Sequence, residues 1–110
     1  VTITTETIEP DITILNVGDR LTASSAQELR AAVRRAVDAG SPRIVVELSE
    51  VRVMDSSGLG ALVSALKIAR QAGGDLRIAS PSRQVAMALT LSNLDRLLVG
   101  FDCAAAAYRE

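Results

Sequence analysis

Met54-Asp55-Ser56-Ser57-Gly58-Leu59-Gly60 joins two patterns of opposite kind. Before it, Arg43-Ile44-Val45-Val46-Glu47-Leu48 is nearly all apolar and β-branched, the pattern of an interior parallel strand covered on both faces. After it, Leu59, Leu62, Val63 and Leu66 recur at helical spacing, and Ala61, Ala65, Ile68 and Ala69 widen that stripe. Only Ser64, Lys67, Arg70 and Gln71 are left for solvent, so a well-covered helix is predicted from residue 56 to about 72, ended by Gly73-Gly74. A strand, a crossover over residues 49–55 and a helix form the repeating unit of an α/β fold.

The same unit recurs on both sides. Upstream, Ile3 and Ile8 flank one Thr-rich segment and Ile12, Ile14 and Leu15 mark a second, with Pro10-Asp11 between them, which predicts an N-terminal hairpin. Gly18-Asp19-Arg20 reads as a loop. Either Ser24 with Gln27 or Ser25 with Glu28 makes a capping box for a first helix. Leu29, Ala32, Val33, Ala36 and Val37 form its inner stripe, and Gly40 and Pro42 stop it. Downstream, Asp75-Leu76-Arg77-Ile78-Ala79 is a short strand, and Ser80-Pro81 reads as the cap and first residue of a third helix with Val85, Ala88 and Leu89 inward. Leu91-Ser92-Asn93-Leu94 ends it, Leu97-Leu98-Val99 is a last extended run, and Asp102 caps a terminal helix built on residues 104–107. The expectation is one α/β domain over residues 1–110, a hairpin followed by alternating helices and strands. Its mixed, mostly parallel sheet would be covered by about four helices joined by right-handed crossovers. The loops around residues 18–24, 49–57 and 79–81 would then share the edge where the strands end.

Composition limits the chemistry. The residues are 48% hydrophobic but 2% aromatic, so the core must be built from Leu, Ile, Val and Ala. Twelve basic and thirteen acidic residues give a net charge of -1, with no general attraction to nucleic acid or anionic lipid. With no histidine and a single cysteine, Cys103, the chain lacks the parts of Ser-His-Asp or Cys-His catalysis, of most zinc sites and of an internal disulfide. No apolar run approaches the roughly 20 residues that span a bilayer. Val1-Thr2-Ile3-Thr4 resembles no secretion signal, so a cytoplasmic protein without cofactor, metal, membrane or direct nucleic-acid partner is expected.

Asp55 and Ser56 suit a helix N-cap, and two hydroxyls at the positive end of a helix dipole would tolerate an added phosphate on Ser56 or Ser57. Plain capping explains the same spacing. Gly58 and Gly60 admit a structural reading too, close approach of the helix start to a neighbouring segment. The dinucleotide-binding glycine pattern would need a third glycine at Val63, and no Gly-Lys-Ser/Thr follows, so nucleotide binding is not expected. Arg30, Arg34 and Arg35 read as a solvated face, and Cys103 as a small filler.

The run Glu47-Leu48-Ser49-Glu50-Val51-Arg52-Val53-Met54-Asp55-Ser56-Ser57-Gly58-Leu59-Gly60 closely resembles the signature of the STAS-domain anti-sigma factor antagonists of bacteria. The likeness continues through Gly73-Gly74, Ser80-Pro81 and Leu91-Ser92-Asn93-Leu94-Asp95. It implies that Ser56, with Ser57 as second choice, is a phosphorylation site, and that Thr22, Ser24, Asp55, Ser56, Ser57 and Gly58 face a partner. That partner would be an anti-sigma factor that is also a serine kinase, bound by the unphosphorylated form so that its sigma factor is freed, with a PP2C-type phosphatase removing the mark. The alternative is a non-catalytic STAS scaffold in a stress-sensing, transporter or lipid-trafficking assembly; an enzyme is not expected, because neither a histidine nor a lysine base accompanies Ser56. The chain departs from the family at Asp19-Arg20-Leu21-Thr22, where Gly-x-Leu-Asp is usual, and at Asn93, which replaces a frequent glycine.

Overall fold

A computed structural model describes residues 3–8, 12–98, 100 and 101. The Pro10-Asp11 turn, Val99, the Asp102 cap, Cys103 and the terminal helix lie outside these residues. A hairpin does open the fold: β1 (Thr4–Ile8) runs antiparallel to β2 (Ile12–Asn16), with Glu6 opposite Ile14. From β2 the sheet grows in one direction through parallel β4 (Arg43–Glu47), β6 (Asp75–Ala79) and β7 (Gly100–Phe101), giving the order β1-β2-β4-β6-β7. Helices α1 (Ala23–Asp38), α2 (Ser56–Gln71) and α3 (Arg83–Leu91) make the crossovers.

Right-handed crossovers that always step the same way leave α1, α2 and α3 on the same face of the sheet. The core follows that geometry. Leu15, Ile44, Val46, Leu76 and Ile78 point to the helices and join Leu29, Val33, Leu62, Leu66, Val85 and Leu89 in one cluster. Val45, alternating between Ile44 and Val46, faces the other way with Ile12, Ile14 and Ala79. Three of the four residues from 44 to 47 are therefore fully buried on two faces, as their unbroken apolar run implies.

Four boundaries differ from the reading of the sequence. Helix α1 is capped by Thr22, which has extended backbone, and the reciprocal partner is Ser25, whose Oγ accepts from Thr22 N–H at 2.9 Å and donates to the Arg20 carbonyl at 3.0 Å. Ser25 is buried by these bonds, so neither Gln27 nor Glu28 is needed for capping. Ser80 cannot cap α3, because its backbone is left-handed (φ 52°) and a cap residue must be extended; its hydroxyl instead donates to Glu47 Oε2 at 3.2 Å. Ser82 (φ −64°, ψ 164°) takes the role, accepting from Val85 N–H at 3.3 Å. Leu97 has helical backbone after a 3-10 turn, Leu94–Arg96, so the last strand comes later, at β7. Finally, the supposed loops contain β3 (Arg20–Leu21) and β5 (Val53–Met54), which pair in parallel as a separate two-stranded sheet. The ends expected of α1 and α2 hold, with Gly40 and Gly73 both at φ 85°, and Asn93 takes the left-handed conformation at φ 62°. Among the described residues no helix is long and apolar enough to cross a membrane.

Two substitutions measure how tightly this layer is packed. A Cβ at residue 74 would lie 2.0 Å from the Pro42 carbonyl oxygen, so Gly74→Ala should cost about 1–3 kcal/mol. Leu62→Ala, at a fully buried position, should cost about 2–5 kcal/mol. Both are read as lowered urea midpoints at unchanged m-value.

Candidate functional site

The start of α2 is held by backbone pairing and by one side-chain cap. Strand β3 lies beside β5 with Leu21 opposite Met54. The Asp19 carbonyl accepts from Arg52 N–H at 2.8 Å and from Val53 N–H at 3.0 Å, and the Leu21 carbonyl accepts from Asp55 N–H at 3.3 Å. Asp55 is the N-cap: its backbone is extended and its Oδ1 accepts from Gly58 N–H at 2.9 Å. Ser56 and Ser57 are thus the first two residues of the helix. Both are exposed, and neither hydroxyl has a hydrogen-bond partner among the described residues. No acidic side chain lies within the first turn of α2, so within the helix and its cap Asp55 alone offsets the partial positive charge of that end.

The two glycines of the stretch have different reasons. At Gly58, which is buried, a Cβ would fall 1.8 Å from the Leu21 carbonyl oxygen and 2.5 Å from its carbon. No side chain fits there, which is the close approach expected from the sequence. At Gly60 that expectation fails: the residue is exposed and a Cβ would meet nothing within 4 Å. A helix-interior glycine costs roughly 0.5–1 kcal/mol relative to alanine, and nothing in the described fold offsets it.

The loops meet as the strand order requires. Val17 N–H donates to the Glu47 carbonyl, Leu48 N–H to the Ala79 carbonyl, and Glu47 reaches both Ser49 N–H and the Ser80 hydroxyl. Thr22 follows Leu21 directly and is half-buried, with its Oγ1 3.0 Å from the Oγ of exposed Ser24. Between the first turns of α1 and α2 runs a shallow groove of about 410 Å³ lined by Ala23, Ala26, Arg30, Ser57, Gly60 and Ser64. Ser57 therefore faces α1, whereas Ser56 does not line the groove. Arg34 and Arg35 are exposed as expected, but Arg30 is half-buried beside Ser57, a placement that its position opposite an apolar stripe did not suggest. Among the described residues no group of three His, Cys, Asp or Glu could hold a metal ion.

Comparison with known proteins places these features in a family. The model of the STAS domain matches residues 3–107. A protein of Thermotoga maritima, provisionally named an anti-sigma factor antagonist, is 37% identical over 71 residues, which cover 64% of this chain and 63% of that protein. The match thus spans just under two thirds of that relative's length. The crystal structure of the Thermotoga maritima protein TM1081, with the same provisional name, superposes with a TM-score of 0.83 at 30% identity, over 94% of this chain and 88% of the other. The anti-sigma factor antagonist SpoIIAA in its unphosphorylated form superposes with a TM-score of 0.76 at 19% identity, over 90% and 87% of the two chains, a likeness of fold.

The clamp on the helix start makes a differential prediction. Asp55→Ala removes one cap bond and should cost about 1 kcal/mol, and Asp55→Asn much less. Gly58→Ala must push the Leu21 carbonyl aside and should cost more than either. Thermal unfolding of the three variants checks the order.

Proposed function

We propose, from the premise that this chain belongs to the STAS domain family, that it is an anti-sigma factor antagonist switched by phosphorylation at Ser56. Unphosphorylated, it binds an anti-sigma factor that is also a serine kinase and so releases a sigma factor. The kinase then transfers a phosphoryl group to the Ser56 hydroxyl, the complex weakens, and a PP2C-type phosphatase restores the bare serine. The observation that carries this reading is the unengaged, exposed hydroxyl of Ser56 on the first residue of a helix whose backbone is pinned to Leu21.

The physics is that of a charge added to a rigid surface. A phosphoserine brings about −1.5 to −2 charges, beside the existing Asp55 carboxylate, into a surface that must be desolvated on binding. The positive end of α2 stabilises that group in the free protein, so the added charge disfavours the complex rather than the fold. A loss of about 3 kcal/mol in the complex is a weakening of roughly a hundredfold. No refolding is needed.

Thr22, Ser24, Asp55 and Ser57 complete the contact surface, with Gly58 buried behind them against Leu21, and the groove adds Gly60 and Arg30 to it. In this reading Gly60 stays a glycine because the partner, not this chain, occupies the space above it. Asp19 and Thr22, where the family pattern is broken, then bear on which kinase is recognised.

The mechanism is tested by incubation with the cognate kinase and ATP, followed by phosphopeptide mapping. Ser56→Ala should abolish incorporation and keep binding, and Ser56→Asp should weaken binding about a hundredfold with a stability change within roughly 0.5 kcal/mol. Phosphate on Ser57 with Ser56 untouched would refute the assignment. Gly60→Leu should fold at least as stably as the parent and bind the kinase at least about tenfold more weakly.

A further inference from the structure

Away from the α2 start, α3 carries a second surface that the fold leaves uncovered. Val85 and Leu89 are buried under it, while Met87 and Leu91, one turn apart, are 57% and 81% exposed. With Arg83, Ala86 and Thr90 they line a groove of about 400 Å³. Arg83, Met87 and Leu91 stand at i, i+4 and i+8, a straight row along the helix with a cation at one end and apolar side chains along the rest. Helix α3 contains no carboxylate at all, and Arg83 has no ion-pair partner among the described residues.

We propose that this row docks an amphipathic helix of a partner protein that presents an apolar ridge with a carboxylate at the end facing Arg83. The charge arrangement decides among the occupants. A second copy packed α3 to α3 would bring no acidic side chain of that helix opposite either arginine. A lipid surface would gain only about 1 kcal/mol from one arginine, and α3 has no aromatic residue to anchor in the headgroups. A helix laid in the groove uses both features at once, the apolar row for area and Arg83 for direction. The surface shares no residue with the α2 start, so docking here is independent of the phosphorylation state of Ser56.

The test is a chemical-shift titration of the isotope-labelled full chain with two helical peptides of roughly 18 residues, five turns. They have identical Leu ridges, one ending in two Glu residues and the other in two Lys residues. The Glu peptide should shift the amides of residues 83–91, and the Lys peptide should bind about fivefold or more weakly. Arg83→Glu should reverse that order, Leu91→Lys should remove binding of both, and Ser56→Asp should change neither. Equal affinity of the two peptides, or shifts confined to residues outside α3, would overturn the proposal. So would Met87 and Leu91 signals that move with protein concentration alone, which would mark a second copy, or that move only with anionic vesicles, which would mark a lipid surface.

Discussion

The carbonyl oxygen of Leu21 is the point on which the region around Ser56 is built. It accepts the Asp55 N–H at 3.3 Å and fills the space where a side chain at residue 58 would go. For that contact to exist, β3 must pair with β5, and α1 must start directly after Leu21. The helices must also come close, and they do so through Ala26 and Ala32 on α1 and Ala61, Ala65 and Ala69 on α2, all buried in one cluster. An alanine-rich interface is thus not a sign of weak packing here. Small side chains there leave room for one helix to begin against the backbone feeding the other.

Much of this architecture can be read in the residues because it rests on periodicity. The interior strand Arg43–Glu47, the strand Asp75–Ala79 and helix α2 each bury a pattern long enough to be unambiguous. The failures share a cause: the deciding partner is distant in the chain. Ser80 is drawn out of a capping role by Glu47, 33 residues earlier, and β3 and β5 are two residues each, too short to show alternation. The exposed Asp55, Ser56 and Ser57 were found where the motif put them, but the groove that Ser57 shares with Arg30 was not foreseeable, since it depends on how two helices cross. The resemblance to the STAS family was legible because its signature lies in one continuous run; what holds that run in place was not.

The apolar core and the proposed contact surface are kept apart in space by this arrangement. The sheet and the inner faces of all three helices form the large apolar cluster, whereas the residues proposed to meet a partner sit on helix starts and loops at the edge where the strands end. A change of charge at that edge acts on an exposed group, so it has little leverage on the cluster beneath. With α1, α2 and α3 on one face of the sheet, the starts of α1 and α2 are neighbours, and a partner can read both at once.

Gly58 and Gly60 differ in one more respect, which concerns how the molecule can change over generations. Gly58 is locked by Leu21, so drift at that position is removed through loss of folded protein before any effect on recognition is felt. Gly60 has open space above it, so a side chain there does not disturb the described fold, and under the proposed role variation there is judged by the partner. Duplicated copies of such a chain can therefore diverge in whom they answer to by sampling residue 60 while residue 58 stays fixed, and kinship among paralogues should be written at one glycine and allegiance at the other.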